Sequence, residues 1–118
     1  MRLTLPWPPR SGNHQHGQRL GKRYLTPEVR AYRAEVWALL ARVSRPEGRV
    51  GLRFTLYPPD RRARDGDNVL KVVMDALVAG GWLPDDSNKT IAWLTYAWAE
   101  PVKGGRIEVE VSCASERT

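Results

Sequence analysis

The clearest repeat in the chain has period two. Val50, Leu52, Phe54 and Leu56 alternate with Gly51, Arg53, Thr55 and Tyr57, which predicts a strand with one buried face. Ile107, Val109 and Val111 alternate with Glu108 and Glu110 in the same way near the C-terminus. Arg2–Leu5 reads as a short first strand stopped by Pro6-Trp7-Pro8-Pro9, and Thr90–Trp98 as a longer one. Val29, Tyr32, Val36, Leu39, Leu40 and Val43 instead follow helical spacing. Thr26-Pro27-Glu28 opens that helix with a cap, a proline at the first helical position and an acid at the positive dipole end. A second helix runs from about Asn68 to Ala79, with Gly80-Gly81 as its stop. Residues 10–25 are rich in glycine and basic side chains and poor in apolar ones, which predicts an exposed loop. Lys103-Gly104-Gly105 reads as a hairpin turn before the last strand. The order β-α-β-α-β-β predicts one α+β domain over residues 1–118, a mixed sheet with two main helices packed on it.

Composition narrows the class. At 118 residues and 42% hydrophobic, the chain can bury a core without disulfides, and five tryptophans argue against disorder. The lone cysteine, Cys113, has no internal partner to bond, so a reducing cytoplasm is the expected home. No apolar run approaches the ~18 residues of a membrane span, and the proline-rich start is unlike a secretory signal. The net charge of +6 points to a polyanionic partner of some kind.

The distribution of that charge is more informative than its total. Residues 1–58 carry 11 Lys+Arg and 3 Glu, residues 59–86 carry 4 Lys+Arg and 6 Asp, and residues 87–118 carry four of each sign. Every aspartate lies between Asp60 and Asp86, and the acids elsewhere are all glutamate. Surface solvation does not discriminate between the two. A hard-cation site does, because short carboxylates on fixed backbone suit the tight octahedral geometry of Mg²⁺.

The second helix is apolar on nearly every side except for the column Asp67, Lys71, Asp75, each four residues from the next. By itself that column is a helix cap with a modest charge ladder. Asp65 and Asp67, two apart just after a strand and at a helix N-terminus, can both reach one ion if the backbone there is extended. Asp85-Asp86 follows the helix, about 18–20 Å away along its axis, and joins them only if the next segment folds back. Read alone, Asp85-Asp86-Ser87-Asn88 is a polar turn. An EF-hand fails on the missing glycine and closing glutamate, and zinc fails because His14, His16 and Cys113 lack ligand spacing. Arg61, Arg62 and Arg64 suit bidentate contact with phosphate oxygens. The five tryptophans read as core or interface rather than base-stacking platforms, and Trp7, flanked by prolines, is the one to test for stacking.

These residues resemble the RusA family of Holliday-junction resolvases over nearly the whole chain. The likeness rests on Leu5-Pro6-Trp7-Pro8-Pro9, Asp60-Arg61-Arg62-Ala63-Arg64-Asp65-Gly66-Asp67-Asn68, Lys71, Asp75-Ala76-Leu77, Asp85-Asp86 and Lys103-Gly104-Gly105-Arg106. It implies a bacterial or phage-encoded, homodimeric endonuclease that cuts four-way DNA junctions by paired nicks. The cofactor implied is Mg²⁺, with Mn²⁺ as a substitute. Carried over, Asp65, Asp67 and Asp86 are the essential carboxylates around the metal, Asp85 a supporting acid and Lys71 the essential lysine. Arg10, Arg19, Lys22 and Arg23, with Arg61, Arg62 and Arg64, are the expected DNA contacts. The competing readings are a non-catalytic nucleic-acid-binding module and a Mg²⁺ nuclease acting on other branched DNA.

Overall fold

The two period-two segments lie side by side in the middle of a four-stranded sheet in the computed structural model of the chain, which describes residues 1–9 and 14–114. The elements are β1 (Arg2–Pro6), β2 (His16–Arg19), β3 (Lys22–Leu25), α1 (Pro27–Leu40), β4 (Val50–Tyr57), α2 (Gly66–Ala79), β5 (Ile91–Trp98) and β6 (Arg106–Cys113). The sheet order is β1-β6-β4-β5, antiparallel except for the parallel pair β4 and β5. This is the expected α+β class with a mixed sheet and two helices.

The pairing register explains the core. Leu3 and Phe54 both face Val109, and Leu5 and Leu56 both face Ile107. Alternate side chains of three strands therefore gather on one face. Tyr32, Val36 and Leu40 of α1 and Val69, Val72, Val73, Ala76 and Leu77 of α2 join them in a single buried cluster. Burying an aliphatic or Phe side chain of this kind contributes about 1.5–3 kcal/mol before entropy is counted. Tyr32 also donates its hydroxyl to the Pro6 carbonyl at 2.8 Å, tying α1 to the end of β1. Thr26 caps α1 as expected, its hydroxyl accepting from the Val29 N–H.

Four features depart from the sequence reading. Residues 16–25 form a hairpin, β2 with β3, where a loop was expected. Its turn sets Leu20 at φ 53° and Gly21 at φ 75°. Such turns normally announce themselves as Asn-Gly, and Leu-Gly carries no comparable signal. The turn at Gly104 and Gly105 is real, with φ of 78° and 69°, yet it does not close a hairpin. β4 stands between β5 and β6. A period-two pattern reports a buried face and says nothing about which strand takes each edge. α1 ends at Leu40 with Leu39 exposed, leaving Val43 beyond the helix. α2 starts at Gly66, two residues early, because Asp65 is its cap.

The connection β4–α2–β5 sets the geometry of the site. β4 and β5 are parallel, so α2 must run back against both. The N-terminus of α2 therefore sits at the C-terminal ends of the two strands. The loop after α2 sits at their N-terminal ends.

Candidate active site

Asp65 has extended backbone (φ −90°, ψ 116°) and its Oδ1 accepts the Asp67 N–H at 3.0 Å. Asn68 donates its side-chain amide to Asp65 Oδ2 at 3.4 Å. Asp65 and Asp67 thus stand together at the first turn of α2, both exposed. They meet at a helix N-terminus after a strand, as the sequence reading has it, with Asp65 extended as the cap and Asp67 already in the first turn. The setting suits the site, since the positive end of the helix dipole stabilises negative charge at this turn. Each carboxylate oxygen has two lone pairs, so the capping bonds leave acceptor capacity for a cation. Lys71 follows one turn beyond Asp67 and is exposed.

Asp86 is not brought to them. Ser87 accepts the N–H groups of Thr90 and Ile91, and Ile91 pairs with Val50 at the start of β4. Arg49 donates to the Asn88 carbonyl and Arg45 to the Gly81 carbonyl, which anchors the loop there. Fourteen helical residues at about 1.5 Å each make roughly 21 Å, and the following strand leads back only through β5 itself. Among the described residues no group of three or more His, Cys, Asp or Glu side chains comes together. The expected trio of Asp65, Asp67 and Asp86 is therefore split within one chain, two acids at one end of α2 and one at the other.

Asp85 and Asp86 also differ in their surroundings. Asp85 Oδ1 accepts from both the hydroxyl and the N–H of Ser87, at 2.7 and 2.9 Å. Those bonds, the hydroxyl first, hold its carboxyl below the usual range. Asp85 shapes the turn, and Asp86 is the exposed acid beside it.

The basic residues divide in the same way. Arg64 is only 16% exposed in its side chain, 2.9 Å from the Asp60 carboxylate. It also donates to the Asp60 and Arg62 carbonyls and lies 5.7 Å from the Trp7 ring centre. It holds the 60–64 segment in shape and has little left for phosphate, contrary to expectation. Arg61 and Arg62 project into solvent, with exposed ion pairs to Glu100 and Asp60. Exposed pairs of this kind contribute little and exchange readily for phosphate. Arg19, Lys22 and Arg23 are exposed on the β2–β3 hairpin, and Arg10 lies outside the described residues. Trp7 packs against Trp98 with ring centres 6.3 Å apart. An open cleft of about 530 Å³ lies beside Asp65, between Trp7, Pro9, Pro59, Arg62 and Asn68.

The Asp60 carboxyl has a testable signature. The Arg62 N–H, then the Arg62 and Arg64 guanidiniums, draw it from an ordinary 3.8 down to about 2. Its folded value is the lower one, so its contribution to loop order is complete above about pH 4 and is lost as pH falls through about 2. A carboxyl-detected NMR titration should place the Asp60 midpoint near 2 at low salt. A midpoint near 4 would mean that Arg62 and Arg64 do not hold it.

Sequence reasoning missed Gln15. It is fully buried and donates its Nε2 to Asp75 Oδ2 at 2.9 Å, while its backbone carbonyl accepts the Thr26 N–H. The third member of the α2 polar column is thereby taken up by the hairpin. A glutamine in a glycine-rich stretch gives no hint of this. Next to it, His16 accepts from Arg23 at 3.0 Å. Burial, then the charges of Arg23 and Arg33, push the imidazole down.

Comparison with known proteins bears on this arrangement directly. The family model described as Endodeoxyribonuclease RusA matches residues 6–112. The chain belongs to the RusA family. It is 33% identical over 113 residues to the crossover junction endodeoxyribonucleases RusA of Escherichia coli strain K12 and Shigella sonnei, covering 93% of this chain and 92% of theirs. The crossover junction endodeoxyribonuclease of Enterobacteria phage 82 matches to the same extent. The match takes in both ends of α2, so the two separated acid groups lie within one family domain. Among the described residues no helix is long and apolar enough to cross a membrane.

Proposed function

We propose that residues 1–118 form a structure-selective endonuclease that resolves four-way DNA junctions by paired, divalent-metal-dependent nicks in a bacterial or phage-infected cytoplasm. The observation that carries this reading is the pair Asp65 and Asp67 at the first turn of α2, with Lys71 one turn behind and the arginine segment 60–64 leading in. Two short carboxylates on a fixed helix start suit a hard cation. Bound Mg²⁺, or Mn²⁺ in its place, supplies charge neutralisation at the phosphodiester and a more acidic water.

The chain's own residues do the rest. Asp65 and Asp67 would hold the cation from a helix start whose cap is made by Asp65 itself. Lys71 places an ammonium near the scissile phosphate, where charge develops during in-line attack. Arg61, Arg62, Arg19, Lys22 and Arg23 contact backbone phosphates and set the position of the duplex arms. Arg64 acts through the loop as a positioning residue.

The position of Asp86 shapes the quaternary reading. One chain offers two acids at the cation, and the third lies a helix length away. The partner subunit's Asp86 supplies it in a C₂ homodimer, with Asp85 shaping the turn that presents it. Such a dimer has two matched sites, the number that two symmetric cuts in a four-way junction need.

Mixing two inactive variants tests this arrangement. Asp65→Asn and Asp86→Asn proteins, each inactive alone, should regain junction nicking after mixing and exchange, because each heterodimer has one intact composite site. The products should be single nicks, with a 5′-phosphate and a 3′-hydroxyl. A mixture that stays inactive although heterodimers form would place both acids in one chain's site. Equal nicking of linear duplex would remove junction selectivity from the reading.

A further inference from the structure

Lys71 stands between two carboxylates on its own helix. Asp67 lies four residues before it and Asp75 four residues after, so all three share one face of α2. At that spacing either acid can pair with the ammonium and cancel its charge. Yet among the described residues no ion pair or hydrogen bond engages Lys71. In the reading above, the cation takes Asp67. Asp75 is taken by the chain itself, its Oδ2 accepting from Gln15 Nε2 at 2.9 Å. A charge-assisted hydrogen bond from a buried donor outweighs an exposed pair along a helix, so this bond sets the direction of the Asp75 carboxylate.

Gln15 is a costly choice for that position. It is fully buried, and among the described residues its Oε1 has no hydrogen-bond partner. An orphaned amide oxygen destabilises a fold, whereas methionine fills much the same space without one. Packing alone therefore gives no reason for an amide. Its place is nonetheless fixed, because its backbone carbonyl accepts the N–H of Thr26, the cap of α1, at 3.0 Å. What the side chain gains is the bond to Asp75.

We infer that Gln15 is a positioning residue for cleavage: by holding Asp75 it keeps that carboxylate off Lys71 and leaves the ammonium unneutralised for the phosphate. The inference rests on the role given to Lys71 above. His16, Arg23 and Arg33 share this patch of charge with Lys71 and Asp75. Once released, Asp75 has Lys71 one turn away on its own helix, with Arg33 of α1 as the competitor.

Two measurements on the full-length chain test this. One is single-turnover junction cleavage at saturating protein. The other is the rate at which an amine reagent labels Lys71, with Lys22, Lys89 and Lys103 as internal standards. Gln15→Met removes the donor at nearly constant volume. Cleavage should fall about tenfold, less than for Lys71→Ala, because the ammonium is shielded and not removed. Labelling of Lys71 should slow, since a paired carboxylate favours the unreactive ammonium. Adding Asp75→Asn should restore both, with cleavage within about threefold of wild type, because an amide cannot neutralise the ammonium. A loss that came only from a loosened hairpin would not be rescued in this way. Gln15→Leu repeats the test with another apolar shape, and a thermal melt identifies the folded variants. Unchanged cleavage and labelling in a folded variant, a loss that Asp75→Asn does not rescue, or unfolding of both variants overturns the inference. Slowed labelling with unchanged cleavage refutes instead the role of Lys71 on which it rests.

Discussion

The Asp65→Asn chain should nick a four-way junction about a thousandfold more slowly than wild type, or not measurably, while melting within a few degrees of it. Losing a metal-binding carboxylate forfeits several kcal/mol of charge stabilisation, and each 1.36 kcal/mol is tenfold in rate. The fold is spared because asparagine is as good a helix cap as aspartate. Its amide oxygen can still accept the Asp67 N–H that Asp65 now accepts. Asp65→Ala would lose activity and also about 1 kcal/mol of capping, so it confuses chemistry with stability. Single-turnover cleavage of a labelled junction beside a thermal melt separates the two. Cleavage within tenfold of wild type would remove Asp65 from the site.

Lys71→Ala should lower single-turnover cleavage by about a hundredfold or more, the range for removing one preorganised stabilising group from a developing charge. Alanine is the strongest helix former, and Lys71 is exposed on α2, so the helix should persist. Junction binding should fall only modestly, with the salt slope reduced by about one. Loss of cleavage with binding kept distinguishes a group acting at the reacting phosphate from a cation that merely holds DNA. A variant that unfolds would show instead that Lys71 serves the charge column of α2. That column is already incomplete as a ladder, because Asp75 is held by Gln15.

Much of this is legible in the sequence. The period of two at residues 50–57 and 107–111, the Thr26-Pro27 helix start and the Gly80 stop all report local physics, and all recur in the fold. The confinement of aspartate to residues 60–86 and the Asp-x-Asp-Asn motif before Lys71 pointed to one end of α2 as the site proposed above. Composition and spacing suffice there because the residues involved are neighbours in the chain.

The remainder depended on how distant segments meet. Leu20-Gly21 makes a hairpin whose buried Gln15 claims Asp75, and Arg64 is drawn from the DNA-facing set by Asp60 and Trp7. Above all, the sequence places Asp86 nineteen residues after Asp67, a separation that permits either contact or remoteness. Residue types and periodicities determined the fold class, and the motifs around α2 carried the resemblance to the family. Only the parallel pairing of β4 and β5 decided the rest: it forces α2 to run back along both strands, holding Asp86 about a helix length from Asp65 and Asp67.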